Sequence, residues 1–241
     1  MYIYIINIYT LYIDFLIIQG PNHTHSADGH DKLMGFMNST FPLAIYGLQD
    51  AFSNYILYLK IWPGNSDPKL IGRWYLEHLY NVKMISKHLR LDKGPETGDM
   101  ATIHAFVRQT QGDVNDAADT VHYGPSTSNK IERWWRELHQ RLEKFFKRQL
   151  MMLLEQGHYD PEMEIDRQML AFIYIPVIKK ELEIFRDTIW NSHRVRSQKD
   201  AQMPKGIPSH LYSFPGQYGA DECGLPVSDE TLNEVAEISG V

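Results

Sequence analysis

Runs of apolar residues with two different spacings divide the first half of the chain into elements. Two short runs rich in β-branched and aromatic residues, FPLAIYGL (41–48) and NYILYLKIW (54–62), surround a polar turn and predict a hairpin of two buried strands. The segment PGNSDP (63–68) breaks the chain. After it, residues 69–82 carry apolar side chains at helical spacing, which predicts the first helix.

The next part of the chain alternates between short apolar runs and helical patterns. KHLRL (87–91) predicts a strand that runs into Asp92, where a Lys-Gly-Pro turn follows. A helix is predicted over 99–109, and TVHYG (120–124) predicts a last short strand. GPSTSN then supplies turn and N-cap residues for a long helix over about 130–154.

A second helical block spans about 162–190, and we expect Pro176 to kink or divide it. The tail from Gln198 onward is rich in proline and glycine, which predicts extended or irregular structure. An early hairpin and a later alternation of strands and helices indicate an α/β fold, with a mixed sheet flanked by helices and a C-terminal helical extension. Three regions follow: an apolar segment over 1–22, a core over 23–160, and a helical extension and tail over 161–241 packed on the core.

The first 18 residues, MYIYIINIYTLYIDFLII, are almost entirely apolar. No Lys or Arg precedes Lys32, so the charged start of a secretory signal is missing. The run is short for a spanning helix, which needs about 20 apolar residues, and Asn7 and Asp14 interrupt it. A buried strand, an extension of other origin and a membrane anchor all remain open for this segment, but we do not expect the chain to associate with membranes.

Composition limits the kinds of partner and compartment. A hydrophobic fraction of 43% in 241 residues supports a packed core. The net charge of −6 means that any contact with DNA must come from a local basic patch. Cys223 is the single cysteine, so an internal disulfide is excluded, and a reducing compartment, the nucleus or the cytoplasm, fits best.

Three acidic residues lie in distinctive contexts: Asp28 in HSADGHDKL, Asp92 in LRLDKGPET and Glu132 in SNKIERWW. Asp92 ends an apolar strand, and sites on sheets gather at strand ends because the backbone there is rigid. Glu132 lies in the first turn of the predicted long helix, a position that favours an ionised carboxylate. One loop and one helix separate the two, enough chain to bring both to the same end of a sheet.

These motifs resemble a known family. LDKGPE (91–96) and YGPSTSNKIERWW (123–135) resemble the second and third acidic motifs of DDE integrases and transposases. The wider order of motifs, covering about residues 24–227, is similar to the integrase core domain of animal proteins derived from transposable elements. The further motifs that carry this resemblance are ADGHDKL (27–33), LQDAFSNYILYLKI (48–61), IWNSHRVR (189–196) and PKGIPSHLY (204–212).

The resemblance implies an RNase H-like fold and phosphoryl transfer on DNA, with strand nicking and joining. It also implies two Mg²⁺ or Mn²⁺ ions, with Asp28 bridging both, Asp92 holding one and Glu132 the other. DNA would be the partner, a homo-oligomer is one arrangement, no small-molecule cofactor is expected, and the nucleus would be the location. Two alternatives stay open: an inactive nucleic-acid- or protein-binding module of the same fold, and a plain nuclease.

The sequence departs from the family pattern in several places. The stretch before Asp28, NHTHSA, is polar where an apolar strand is usual. The link over 129–131 is one residue shorter than usual, and Thr97 replaces a frequent Asn. No zinc or helix-turn-helix module for locating transposon ends is seen.

Basic residues near these motifs are candidates for holding DNA phosphates. An ordinary solvated helix face is the alternative for most of them. The candidates are Lys93, Lys130, Arg133, Arg136, Lys144, Lys147, Arg148, Arg194 and Arg196.

Other polar residues fit simpler roles. Asp50 is interpreted as a turn residue of the hairpin, and Glu96 as a solvated loop residue. His23, His25 and His30 suggest zinc, but they lack cysteine partners, so no zinc site is expected.

Overall fold

The computed structural model describes residues 18–35, 39–124, 131–194 and 204–241, with only the backbone for 131–133. A mixed five-stranded sheet in the order β3-β2-β1-β5-β6 forms its centre. The first three strands are antiparallel neighbours, and β5 and β6 then continue parallel to β1. Their bounds are β1 Thr24–His30, β2 Ala44–Asp50, β3 Ile56–Trp62, β5 His88–Leu91 and β6 Val121–Tyr123.

The predicted hairpin is confirmed, because β2 and β3 pair antiparallel. The polar stretch before Asp28 is itself β1, the central strand. Its inner residues His25 and Ser26 are almost fully buried, and the His25 imidazole lies 2.7 Å from the amide oxygen of Asn22. A strand paired on both sides satisfies its backbone groups, so polar side chains suffice here when they have partners.

The helices cover both faces of the sheet and enclose two separate apolar cores. One core lies under α1, α2 and the last helix, α7, and contains Trp74, Ile103 and Leu232. The other lies under α3, α4 and α5 and contains Trp134 and Leu182. The helices are α1 Pro68–Val82, α2 Gly98–Gln111, α3 Ile131–Leu138, α4 Lys144–Glu155, α5 Glu164–Ile184, α6 Pro208–Ser213 and α7 Asp229–Ser239.

The predicted long helix over 130–154 is helical from 131 to 155 but not regular throughout. A π-helical turn, His139–Glu143, lies between α3 and α4. Because a π turn changes the angular spacing of residues, side chains of α4 do not continue the faces of α3. The α5 helix, by contrast, continues through Pro176, so of the expected kink or division the division does not occur.

The tail is more regular than its proline and glycine content predicts. It contains α6, α7 and β7 (Leu225–Pro226), which pairs with β4 (Met84–Ile85). The buried Cys223 donates its backbone N–H to the carbonyl of Pro21, so the tail covers the entrance to β1. Helix α7 has an apolar face over α1 and α2, which its short sequence could not show in isolation.

None of the helices in the described parts of the chain is long and apolar enough to cross a membrane. The apolar segment over 1–17 lies outside the described residues.

Candidate active site

Asp28 lies within β1, and Asp92 directly follows β5, the parallel strand next to β1 in the sheet. Ser26 of β1 pairs with Arg90 of the parallel strand β5, and the two aspartates each follow two residues later. Since side chains alternate across a strand, Asp28 leaves the same face of β1 as Ser26, and Asp92 follows Arg90 by the same two residues. The carboxyl ends of parallel strands form a shared edge.

The turn after Asp92 is held by Thr97, the residue that departs from the family pattern. Its hydroxyl donates to the carbonyl of Gly94 at 2.8 Å and lies 3.4 Å from that of Asp92. The carboxylate of Glu96 folds back over Gly94, where a side chain would collide with it. Glu96 is therefore part of this turn and half-buried rather than a solvated loop residue.

Glu132 is the second residue of α3, as the sequence predicts, but its side chain lies outside the described part of the structure. The helix that carries it is tied to Asp28 by Trp135. The indole N–H of Trp135 donates to Oδ2 of Asp28 at 3.0 Å. The structure thus brings Asp28, Asp92 and the backbone of Glu132's helix to one region.

A glycine makes room for this contact. Gly47 of β2 lies opposite Asp28 in the antiparallel register. A Cβ at Gly47 would lie 3.0 Å from the Trp134 ring and 3.2 Å from the Trp135 ring, closer than ordinary packing allows. The missing side chain lets the two indoles lie close to the sheet beside Asp28.

The electrostatics of Tyr46 also point to clustered carboxylates. Burial first raises the pKa of this phenol well above its usual range, and the Tyr58 phenol adds to the effect. The carboxylates of Asp28, Glu96 and Asp92 raise it further. All three acids therefore act on one buried hydroxyl, and Tyr46 stays neutral at physiological pH.

The carboxylate oxygens of Asp28 and Asp92 are the hard donors that Mg²⁺ and Mn²⁺ prefer. Among the described side chains, no group of three or more His, Cys, Asp and Glu is arranged to hold a metal ion. The third expected ligand, Glu132, does not belong to that set. The two described carboxylates fit one side of such a centre.

The three histidines around β1 have separate surroundings. His23 lies 3.0 Å from the Thr24 hydroxyl, and its ring is 5.2 Å from that of His88. His25 is buried near His78, and burial lowers the pKa of His25 well below its usual range. His30 contacts a glutamate of the π turn.

The candidate DNA-binding residues lie on several elements. Lys93 directly follows Asp92 and is exposed, as are Arg136 of α3 and Arg194. Within the described residues, none of the six basic candidates with described side chains forms an ion pair with a carboxylate. These six are Lys93, Arg136, Lys144, Lys147, Arg148 and Arg194. Lys130, Arg196 and the side chain of Arg133 lie outside the described residues.

A mixed five-stranded sheet with an antiparallel hairpin beside three parallel strands, flanked by helices, defines an RNase H-like α/β protein. The family model for the integrase core domain matches residues 15–212. The chain therefore belongs to the integrase core domain family, which confirms the resemblance seen in the sequence. No curated protein matches the chain.

Solved structures of retroviral proteins are also similar. The chain aligns with a chain of the simian T-cell lymphotropic virus intasome in complex with PP2A regulatory subunit B56 gamma, at 13% identity and a TM-score of 0.43. That match covers 84% of this chain and 59% of the other, so this chain spans well under two thirds of the viral one. The HTLV-2 integrase catalytic core domain, in complex with magnesium and in a dimeric form, aligns at 12% identity and a TM-score of 0.40, covering 80% of this chain and 97% of that one.

Proposed function

We propose that this chain is the catalytic core of a DNA-processing enzyme that nicks and joins DNA strands by metal-dependent phosphoryl transfer. The observation that carries the proposal is that Asp28 of β1 and Asp92, which directly follows the neighbouring parallel strand β5, each lie two residues beyond the paired Ser26 and Arg90. The hydrogen bond from Trp135 brings the helix of Glu132 to the same place. Family membership supports the same class of reaction.

In this proposal, Asp28, Asp92 and Glu132 hold two Mg²⁺ or Mn²⁺ ions. When bound there, the ions would supply activation of the attacking hydroxyl and stabilisation of the leaving oxygen of an in-line displacement. Water is the attacking group in nicking, and a DNA 3′-hydroxyl in joining. In each case one P–O bond forms as another breaks, so no protein nucleophile is needed.

The basic side chains hold the DNA backbone beside the carboxylates. Lys93 is next to Asp92 in the chain, and Arg136 follows Trp135 on α3. Their contacts would be with phosphates and independent of base sequence. A nuclear location is part of the proposal because the substrate is DNA, and the cytoplasm is the second choice.

The decisive test is a strand-nicking and strand-joining assay on purified protein with Mg²⁺ or Mn²⁺. We expect Asp28→Asn, Asp92→Asn and Glu132→Gln each to lower activity by at least about a hundredfold, the upper range seen when residues around a metal are disturbed. Asp119→Asn, at an exposed acid of a short 3-10 helix, is the control and keeps full activity. Activity that persists in Asp92→Asn and Glu132→Gln contradicts the mechanism.

The products of the same assay separate the related functions. Joined strands support the integrase-type reaction, whereas hydrolysis without joining supports a nuclease. DNA binding without either activity in the wild-type protein supports an inactive binding module, an alternative that the net charge of −6 favours. Circular dichroism of each variant checks that the fold is kept.

We further propose that the chain forms a homodimer through α5. Both sides of this helix are apolar: Leu170, Ile178 and Leu182 are buried, while Phe172 is 83% exposed. An exposed group of apolar side chains on a helix that is already buried on its other side commonly marks an interface. The exposed apolar residues of this helix are Ile165, Met169, Phe172, Ile173, Val177 and Ile184.

A second copy of the chain fits this face by charge. In an antiparallel pair of α5 helices related by a two-fold axis at Ile173, Asp166 of one copy lies opposite Lys180 of the second copy. Each residue is the same seven positions from Ile173 (173 − 166 and 180 − 173). Closed two-fold symmetry makes this contact occur twice, which limits assembly to a dimer.

A further inference from the structure

The Trp135 indole that contacts Asp28 is itself fixed by a buried polar cluster outside the carboxylate site. Its ring lies parallel to the His30 imidazole, with centroids 4.4 Å apart and planes inclined by 4°. The ring centroid of Trp134 lies 3.8 Å away. Stacking on His30 and the space above Gly47 accommodate the Trp135 ring beside Asp28.

His30 is held in turn by Glu143 of the π turn. Both oxygens of this carboxylate lie within 3.0 Å of His30 Nε2, and Oε2 has hydrogen-bond geometry. His139 Nδ1 lies 2.9 Å from the same Oε2. We call these residues the His30–Glu143–His139 cluster. One ring nitrogen of each imidazole thus lies within hydrogen-bond distance of the same carboxylate oxygen.

The π turn is what places Glu143 in this position. The side chain of Glu143 is 1% exposed, an unusual burial for a glutamate unless it is paired. A local π turn shifts the residues that follow it relative to a regular helix, and such turns are frequent at functional sites. The cost of burying this carboxylate is offset by its two imidazole partners.

We propose that the His30–Glu143–His139 cluster and Trp135 are positioning residues that fix the orientation of the Asp28 carboxylate for metal binding. The inference rests on the proposed metal-dependent function, and it assigns to these residues no contact with metal or DNA. The path runs from Glu143 through His30 to the Trp135 ring, and from the indole N–H to Asp28 Oδ2. Partners that orient a metal ligand commonly affect metal affinity by about 10–100-fold.

Trp134 provides a matched control for Trp135. It is the preceding residue of α3 and fully buried, and its indole nitrogen has no hydrogen-bond partner among the described residues. Trp134→Phe and Trp135→Phe therefore remove similar ring area from the same core. Only Trp135→Phe also removes the N–H that donates to Asp28.

The first experiment uses metal-free, ¹⁵N-labelled protein and follows the indole N–H resonances of its five tryptophans by NMR. Trp135→Phe assigns the relevant signal. We expect that signal to move in Asp28→Asn, in Glu143→Gln and in His139→Ala. The His139→Ala substitution disturbs the fold less than Glu143→Gln, because the His139 side chain is 31% exposed. A Trp135 signal that stays in place in both cluster variants overturns the proposal.

The second experiment measures Mn²⁺ affinity by electron paramagnetic resonance and the free energy of unfolding by urea denaturation. Trp135→Phe is expected to weaken Mn²⁺ binding about tenfold, whereas Trp134→Phe changes it less than twofold with a similar loss of stability. Equal Mn²⁺ affinities in the two variants contradict the positioning role. If the wild-type protein binds no Mn²⁺, the proposed metal-dependent function fails, while the indole resonance still decides whether the cluster orients Trp135 and Asp28.

Discussion

Single polar residues, rather than apolar ones, hold the central strand in place. Asn22 lies just before β1 with a positive φ of 57° and is almost fully buried. Its backbone N–H donates to Asp50, its side-chain amide donates to Glu222, and its amide oxygen accepts from the Tyr212 hydroxyl. One residue thus connects β1, the hairpin and the tail, and the polar start of the sheet depends on it.

Asp50, which accepts the backbone N–H of Asn22, is a buried carboxyl whose ionisation is disfavoured. Burial raises the pKa of its carboxyl from 3.8 to about 6, although hydrogen bonds from Ser53 and Asn22 act in the opposite direction. The folded state therefore binds this proton more tightly than the unfolded state does. The stabilising contribution is full below about pH 4 and is lost as the pH rises through about 6.

We predict that the difference in unfolding free energy between wild type and Asp50→Asn depends on pH. A rise in pKa from 3.8 to about 6 corresponds to roughly 3 kcal/mol, so the advantage of wild type shrinks by up to that amount from about pH 4 to pH 7. Urea denaturation at several pH values measures it, with Asp119→Asn as the exposed control. A difference that is constant with pH rules out this account of Asp50.

At the scale of elements, a polar side chain also closes the edge of the sheet. Asn191 follows the π-helical turn Phe185–Trp190 and is buried. Its amide oxygen accepts the backbone N–H of Ile56 at 2.9 Å, and its amide nitrogen donates to the carbonyl of Ile56 at 3.1 Å. The Asn191 side chain pairs with the backbone of Ile56 as a neighbouring strand would. This contact attaches the chain that follows α5 to the edge strand β3.

Asn191→Ala is expected to lower the free energy of unfolding by roughly 2–4 kcal/mol, since two buried peptide groups lose their partners. Chemical denaturation compares it with Ser192→Ala, at the adjacent exposed residue. Asn191→Asp places a buried carboxylate oxygen against the Ile56 carbonyl, so it is expected to be at least as destabilising as Asn191→Ala. Equal stability of Asn191→Ala and Ser192→Ala would argue against the role of Asn191.

The apolar pattern was sufficient to predict the hairpin, the helices before the tail and the strand that runs into Asp92. It could not predict β1, because a strand that is paired on both sides can be polar when tertiary partners satisfy its side chains. The helical spacing did not predict the π turn either, because the partners of Glu143 are distant in the chain or buried in the fold. The tail's short helices form on surfaces supplied by distant elements.

For the site, sequence alone placed Asp92 and Glu132 on their elements because strand ends and helix starts have local signals. The contact between Trp135 and Asp28 joins residues far apart in the chain, so no local pattern reveals it. The motif IERWW did contain a signal, an adjacent pair of tryptophans. Both tryptophans are core residues, and Trp135 in addition binds Asp28.

At the scale of the whole molecule, apolar surface and charge are distributed unevenly. The two apolar cores are enclosed by helices, yet α5 leaves apolar side chains in solvent on the side away from the sheet. The chain as a whole is acidic, with a net charge of −6. Association through α5 would cover the apolar surface without using the region of Asp28 and Asp92.

We expect sedimentation equilibrium to show a dimer for the wild-type protein and a monomer for Phe172→Asp. A buried charge at the centre of the contact cannot be paired, so it opposes dimerisation. Phe145→Asp is the matched control, because Phe145 is also exposed, at 62%, but belongs to α4. A monomeric wild type, or a Phe172→Asp variant that still dimerises, excludes α5 as the interface.

Because the tail covers the entrance to β1, the reactivity of a residue in the tail can report how often this part of the protein opens. Cys223 is the single thiol of the sequence, and it lies in the seam between the tail and Gly20. Burial, the largest influence, raises the pKa of this thiol, so the reactive thiolate is scarce while the seam is closed. The rate at which a thiol reagent labels the unmodified protein therefore measures how often the tail leaves the strand that carries Asp28.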